Sequence, residues 1–364
     1  MRLLIFLQSP EIGGAQRVAV TLANDLPAEW EIKLVCGRPG PMQRMVAPRL
    51  EHVCLNRRRA RHAVLPLARL LRQWQPDVAF APMPESSLAL WAAWRLAGRG
   101  TALVLRESNH RSSDERSVRG LFGAALGRAY HEAFRVVAPS GGVAQDLCAR
   151  YRLAPDRVRT IYNSASSGTS ASAGTWPRTP GRIEVLAAGR FIRQKGFDVL
   201  LHAMAGIADP RVRLTVLGDG PERPALQRLA DRLGISSRVR MPGFVENPAS
   251  WMAASDIFVL PSRWEGMPNV LLEAMEQGMA VVATRCPGSP DEIVTHGQNG
   301  LLCEPESPTA LQEELGKLLG DARLPSRLVE GACETLKRFR PAVILPQYVE
   351  LFREAAAHRR GVGS

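Results

Sequence analysis

Lysine is scarce in this chain: 4 Lys stand against 43 Arg among 364 residues. Where a lysine does occur, a compact point cation takes the place of the planar guanidinium used almost everywhere else. Long apolar runs are missing too. Nothing approaches the roughly 18 uncharged apolar residues that a membrane span needs. The first run, Leu3 to Leu7, leads straight into a glycine loop and reads as a buried strand, not a signal segment. Cys36, Cys54, Cys148, Cys286, Cys303 and Cys333 show neither CxxC spacing nor clustered histidine. That pattern argues against a zinc site and fits a reducing, cytoplasmic compartment. There is no Asp-x-Asp pair to hold a divalent cation, so no metal is expected, and no repeat of 20 to 50 residues beyond a shared βα rhythm.

The chain is long enough for two separate cores, and 45% hydrophobic with 23% charged residues is ordinary for a globular protein. Acidic residues are short only in the first half. Residues 1–175 hold 24 Lys or Arg against 13 Asp or Glu, whereas residues 176–364 hold 23 against 22. Much of the excess lies in Arg57-Arg58-Arg59-Ala60-Arg61-His62 and the segment Ala63–Trp74, where apolar and basic residues alternate at helical spacing. One reading is a membrane-surface helix attracted to an anionic leaflet, each basic residue being worth roughly 1 kcal/mol. The other is a solvated arginine face whose apolar stripe, Leu67, Leu70, Leu71 and Trp74, packs on a sheet. Nucleic acid is a poor partner for this charge, because the basic residues lack interleaved aromatics and a recognisable binding fold.

Apolar runs near 2–7, 31–36, 77–81, 101–105, 134–138 and 158–161 alternate with helical stretches, the pattern of a parallel sheet covered on both faces. A second series lies near 183–188, 212–217, 238–241, 256–260, 280–284 and 300–303. We therefore expect an α/β chain with a first domain over 1–163, a flexible Ser/Ala/Gly linker over 164–181, a second domain over 182–340, and a final helical segment over 341–364.

Chemistry concentrates in the run from Ser262 to Met275. Pro268 suits a first helical position, so a helix is predicted to begin near Met267 or Pro268. Glu265 then sits in the entering loop with Gly266, Glu273 sits in the second turn, and the amides of Asn269, Val270 and Leu271 face any anion in front of the helix. Two carboxylates around an anion site suit the hydroxyls and phosphates of a nucleotide diphosphate sugar. The plainer reading is a first-turn dipole partner and a solvated helix residue. Upstream, an apolar strand ends in Gly189-Arg190, followed by Lys195-Gly196. Open α/β sheets bind ligands outside the carboxyl ends of their strands, which places Arg190 and Lys195 where a diphosphate would lie.

Here the chain resembles the retaining glycosyltransferases of family 4, which have the GT-B architecture of two facing Rossmann-like domains with a cleft between them. The resemblance rests on an ordered set of motifs: Gly13-Gly14-Ala-Gln-Arg17, Val137-Ala-Pro-Ser140, Ile161-Tyr-Asn163, Gly189 to Gly196, Gly218-Asp-Gly-Pro221, Pro242-Gly-Phe244, Pro261 to Glu265, Glu273-Ala-Met275 and Asn299-Gly-Leu301. It implies that Glu273 binds the ribose, Glu265 a hydroxyl of the donor sugar, and Arg190 and Lys195 the diphosphate. The loop Gly266-Met267 and the amides of Asn269 and Val270 would cradle the distal phosphate. Gly14 would allow close approach of the first loop, and backbone around Gly243 to Val245 would lie near the base. The final helix would pack back on the first domain.

The family often carries a His after the fifth strand; here that strand runs into Arg106-Glu107-Ser108-Asn109-His110, so His110, Glu107 or Asn109 could serve the acceptor side. Gly288-Ser-Pro-Asp-Glu-Ile293 lacks the second glycine of the family's sugar-site loop. The expected activity is metal-independent transfer, with retention, of a hexose or N-acetylhexosamine from a UDP-sugar or, less favoured, a GDP-sugar. The expected acceptor is a lipid-linked or cell-envelope glycan precursor, as in lipopolysaccharide or polysaccharide biosynthesis, at the cytoplasmic face of the inner membrane. A nucleotide-sugar epimerase on the same scaffold is the alternative.

Overall fold

In the computed structural model, residues 1–9, 13–113, 120–165 and 181–362 are described. The chain forms two compact units, one of Met1–Ser164 with Ala342–Ser364 and the other of Ala165–Pro341. Most of the expected linker, 166–180, lies outside the described residues.

The first unit is built on strands β1 (Arg2–Leu7), β2 (Glu31–Cys36), β3 (Glu51–Cys54), β4 (Val78–Ala81), β5 (Ala102–Arg106), β6 (Arg135–Ala138) and β7 (Val158–Thr160). All pairings are parallel, in the order β3-β2-β1-β4-β5-β6-β7. Alternation along β1 explains why a continuous apolar run is needed. Leu3, Ile5 and Leu7 enter one core with helix Gly14–Asp25 and helix Pro341–Val362; Leu4 and Phe6 enter another with helices Ala60–Trp74, Pro84–Leu96 and Leu121–Glu132. The last helix is part of this unit's core. Its Phe352 ring meets Phe80 edge-on at 5.4 Å, and Arg359 bonds the Pro76 carbonyl at 3.1 Å.

Strand β3 was not visible in the sequence. It is short, polar and at the sheet edge, held in register with β2 from Lys33↔Glu51 to Cys36↔Cys54.

Helix Ala60–Trp74 corrects the membrane-surface expectation in one respect. Ala63, Leu67, Ala68 and Leu71 are buried in the core and Leu70 and Trp74 pack against it, so the apolar stripe is already spent. Arg57, Arg58, Arg59, Arg61 and Arg69 stay exposed, with Leu65 63% exposed among them. No described helix is long and apolar enough to cross a membrane.

The second unit has strands β8 (Ile183–Ala188), β9 (Val212–Leu217), β10 (Val239–Gly243), β11 (Ile257–Leu260), β12 (Ala280–Thr284) and β13 (Leu301–Cys303), again all parallel, in the order β10-β9-β8-β11-β12-β13. The order reverses between β8 and β11. At such a switch point the connections leave toward opposite faces, opening a crevice at the carboxyl ends of the two strands.

Candidate functional site

Both loops bordering the second unit's crevice carry residues picked out in the sequence. After β8 the chain passes Gly189 and Arg190, makes a short 3-10 turn over Arg193–Lys195, and enters helix Phe197–Ala205 through Gly196. Gly196 has φ +63°, and a Cβ there would stand 2.0 Å from the Pro261 carbonyl oxygen in the loop after β11. Only glycine permits that approach.

The approach brings Lys195 Nζ to 2.6 Å from Glu265 Oε1, across 70 residues of chain. The same oxygen accepts from Ser262 Oγ at 2.6 Å. Glu265 is only 4% exposed, and its amide donates to the Pro287 carbonyl at 2.9 Å. Gly288 completes the wall: with φ +127°, its missing Cβ would lie 2.0 Å from the Glu265 carbonyl. Burial, with the Glu265 charge adding, pushes the neighbouring Cys286 thiol up to about 12. Thus Lys195 and Glu265, expected to meet different parts of a ligand, neutralise each other here. Arg190 is exposed at the end of β8, and its guanidinium makes no hydrogen bond or ion pair among the described residues.

The helix after Glu265 starts one or two residues later than the expected Met267 or Pro268. It spans Asn269–Glu276, with Pro268 as its N-cap at φ −79° and ψ 92°, a ψ outside the helical range. Glu273 remains in the second turn, half-buried, while Gly266 and Met267 are buried in the approach. The Leu271 amide donates to the Pro268 carbonyl at 3.0 Å, so it is not among the amides expected to face an anion. Val245 is half-buried beyond β10, two strands from β8, which sets it about 10 Å along the sheet. Beside it Phe244 is 53% exposed, an aromatic surface the sequence reading left unassigned.

Sequence reasoning also gave no role to Ser262 or Arg263. Ser262 shares Glu265 with Lys195. Arg263 binds Asp198 through two 2.8 Å bonds and Glu306 at 2.7 Å. A lone arginine in a loop carries no sequence signal for partners 65 and 43 residues away.

In the first unit Gly14 opens the helix that follows β1, at the point where that sheet's order reverses between β1 and β4. The acceptor-side candidates follow β5. Glu107 is wholly buried and fully engaged: Oε1 accepts from the amides of Ser108 and Asn109, and Oε2 from Arg111 Nε and Tyr130 Oη, both at 2.9 Å. In this arrangement its carboxylate holds the loop, with both oxygens engaged. Burial alone would depress Arg111, but the Glu107 carboxylate more than offsets this and holds it high. Asn109 Oδ1 accepts from the His110 amide at 2.9 Å. The His110 side chain is half-buried like Asn109, its Nδ1 2.9 Å from Ser113 Oγ and its Nε2 4.0 Å from Asp146 Oδ1. Asp146 in turn accepts from the amides of Arg111 and Ser112. Among the described residues no group of three or more His, Cys, Asp or Glu side chains is gathered as a metal site.

Comparison with known proteins matches residues 12–166 to the family described as Glycosyltransferase Family 4, and residues 182–321 to Glycosyl transferases group 1. The lipopolysaccharide core biosynthesis glycosyltransferase LpsE of Rhizobium meliloti is 38% identical over 168 residues, covering 46% of this chain and 48% of LpsE. The chain thus spans about half the length of that relative. A Campylobacter jejuni protein, N-acetylgalactosamine-N,N'-diacetylbacillosaminyl-diphospho-undecaprenol 4-alpha-N-acetylgalactosaminyltransferase, is 25% identical over 348 residues, 89% of this chain and 91% of that one. In fold, the chain is similar to Anabaena Alr3699/HepE solved with UDP-glucose, at a TM-score of 0.82 and 20% identity, covering 97% of this chain and all of that one.

Proposed function

Because the chain belongs to the family 4, group 1 glycosyltransferases, as the matches to its two halves show, we propose that it transfers a sugar from a nucleotide diphosphate sugar to a hydroxyl acceptor. The observation that carries this reading is the meeting of Lys195 and Glu265 at the β8/β11 switch point, with Arg190 and the start of helix Asn269–Glu276 in the same two loops. A diphosphate entering there would draw Lys195 from its partner and engage Arg190. Glu265 would then be released to accept from a sugar hydroxyl, and Glu273 would take the ribose. The growing charge on the leaving diphosphate would be absorbed by the two cations and the helix amides, which is electrostatic stabilisation that requires no metal. Activity that survives EDTA would agree with this; loss restored by a divalent cation would refute it.

UDP is the favoured nucleotide, supported by the UDP-glucose in the similar HepE structure. A lipid-linked or cell-envelope glycan acceptor is supported by the names of the two relatives, one for lipopolysaccharide core biosynthesis and one carrying a diphospho-undecaprenol. Transfer with retention, a cytoplasmic location and contact with the anionic inner leaflet complete the proposal. The exposed cluster Arg57, Arg58, Arg59 and Arg61 supplies the contact by charge alone, at roughly 1 kcal/mol per residue. Equal partition onto neutral and anionic vesicles would remove that element.

Calorimetric titration of UDP, GDP and their sugars tests the site. Binding of the UDP series, weakened by Glu273→Ala and Lys195→Ala, is expected. Folded protein that binds no nucleotide would overturn the reading, and donor conversion without any acceptor would turn it toward the epimerase. Proton NMR of the product decides retention.

A further inference from the structure

Resting on the donor-site reading above, we propose that Arg263 is a positioning residue that sets the Lys195–Glu265 geometry by locking three strand-to-helix loops together. Arg263 lies two residues before Glu265, and its side chain is 11% exposed. Its amide donates to the Gln194 carbonyl at 2.7 Å, while Gln194 Nε2 returns a bond to the Trp264 carbonyl at 2.8 Å. The guanidinium then makes four further bonds. Nη1 donates to the Arg193 carbonyl at 2.8 Å and to Asp198 Oδ1 at 2.8 Å, Nη2 to Asp198 Oδ2 at 2.8 Å, and Nε to Glu306 Oε1 at 2.7 Å.

These partners come from separate parts of the sheet. Arg193 and Asp198 bracket Lys195 in the connection after β8, and Glu306 follows β13 immediately before the Ser307 cap of helix Pro308–Gly320. Glu306 takes φ +58°, a left-handed backbone that is uncommon for a non-glycine residue. Burial would raise the Asp198 carboxyl, but its hydrogen bonds from Arg263 prevail and hold it low, so the pair is charged through the neutral range. A planar fork with donors on three sides is needed for this arrangement. Lysine, with a single point charge, could not engage the carbonyl and both carboxylates in these directions.

Among the described residues the Arg263 side chain makes no hydrogen bond or ion pair to Lys195 or Glu265, so its effect passes through loop position. If the guanidinium lock is released, the two loops keep only the Arg263 amide–Gln194 and Gln194–Trp264 bonds beside the pair itself, and their relative position loosens. The pair that a donor must open and reuse then loses its fixed spacing.

The test uses the full chain with Arg263→Gln and Arg263→Lys. Because the protein has only 4 lysines, an amine-reactive reagent followed by mass spectrometry reads Lys195 separately from Lys33, Lys317 and Lys337. Loss of the lock should raise the labelling rate of Lys195 about fivefold or more, since ion pairing and burial shield it, with Lys317 unchanged. An unchanged Lys195 rate in folded Arg263→Gln overturns the proposal whether or not the chain transfers sugar. In turnover, kcat should fall about tenfold or more with donor KM within about threefold, while in a Lys195→Met background Arg263→Gln should cost less than about twofold. A full multiplicative loss in that background would mean a general structural role and would also overturn it. Should Arg263→Gln not fold, Arg263→Lys decides by the same readouts. A wild-type protein without turnover would count against the donor-site reading and leave the labelling result as the judge of the lock.

Discussion

Lys195 Nζ stands 2.6 Å from Glu265 Oε1, joining the loops that leave β8 and β11 where the strand order of the second sheet reverses. With Glu265 4% exposed and the Lys195 side chain 17% exposed, the pair is largely shielded from solvent. Such a pair contributes little net stability when intact, because desolvation offsets the attraction, but breaking it strands a charge.

Lys195→Met should therefore destabilise the protein by about 3 kcal/mol. Lys195→Met with Glu265→Gln should recover more than half of that loss. Urea unfolding of the two variants and of Glu265→Gln gives the coupling. Additive losses would show that the two side chains do not interact.

Arg190 should behave in the opposite manner. It is exposed and makes no ion pair among the described residues, so Arg190→Ala is expected to shift stability by less than about 0.5 kcal/mol. Its effect belongs on binding, where loss of one charge-assisted contact to a diphosphate should weaken UDP by about tenfold. Calorimetry and thermal melts on the same sample separate the two, and unaltered affinity would remove Arg190 from the site.

Two glycines with left-handed backbones make a matched comparison. At Gly288 an added Cβ would lie 2.0 Å from the Glu265 carbonyl, whereas at Gly297, with φ +78°, nothing lies within 4 Å. Gly297→Ala should cost about 1 kcal/mol from backbone conformation alone. Gly288→Ala should cost more than about 2 kcal/mol and weaken nucleotide-sugar binding by displacing Glu265. Equal losses would mean that the contact at Gly288 is easily relieved.

His52 supplies a pH dependence in the first unit. Its Nε2 lies 3.4 Å from Cys36 Sγ in the edge pair β2/β3, and burial lowers its affinity for a proton below the usual 6.5. Between that lowered value and 6.5 the unfolded chain binds more protons than the folded one, so stability rises with pH across this window and its contribution is complete above 6.5. Acidification through the folded-state value removes it. His52→Gln should flatten the profile below pH 6.5, as read from denaturant midpoints. A slope identical to that of the wild type would assign it to other groups.

Much of the architecture could be read from the sequence because parallel strands buried on both faces need uninterrupted apolar runs. Segments such as Ile183–Ala188 and Ala280–Thr284 announce themselves by composition. Strand Glu51–Cys54 did not, since an edge strand is half solvated and needs no such run. The helix Ala60–Trp74 shows a different limit. Its stripe of Leu67, Leu70, Leu71 and Trp74 is equally suited to a bilayer or a sheet, and only the packed core distinguishes them.

Local spacing alone determined that Glu265 precedes a helix, that Glu273 falls in its second turn, and that Arg190 and Lys195 follow a strand. These are short-range consequences of backbone geometry and turn chemistry. What only the tertiary structure decided is which distant residues meet. Lys195 reaches Glu265 because parallel register aligns the ends of β8 and β11 and Gly196 admits the Pro261 carbonyl. Glu107, exposed in no sense that its sequence neighbours reveal, is consumed by Arg111 and Tyr130. Side-chain pairing across a crossover depends on sheet order and loop path, and neither is written in the residues on either side of the contact.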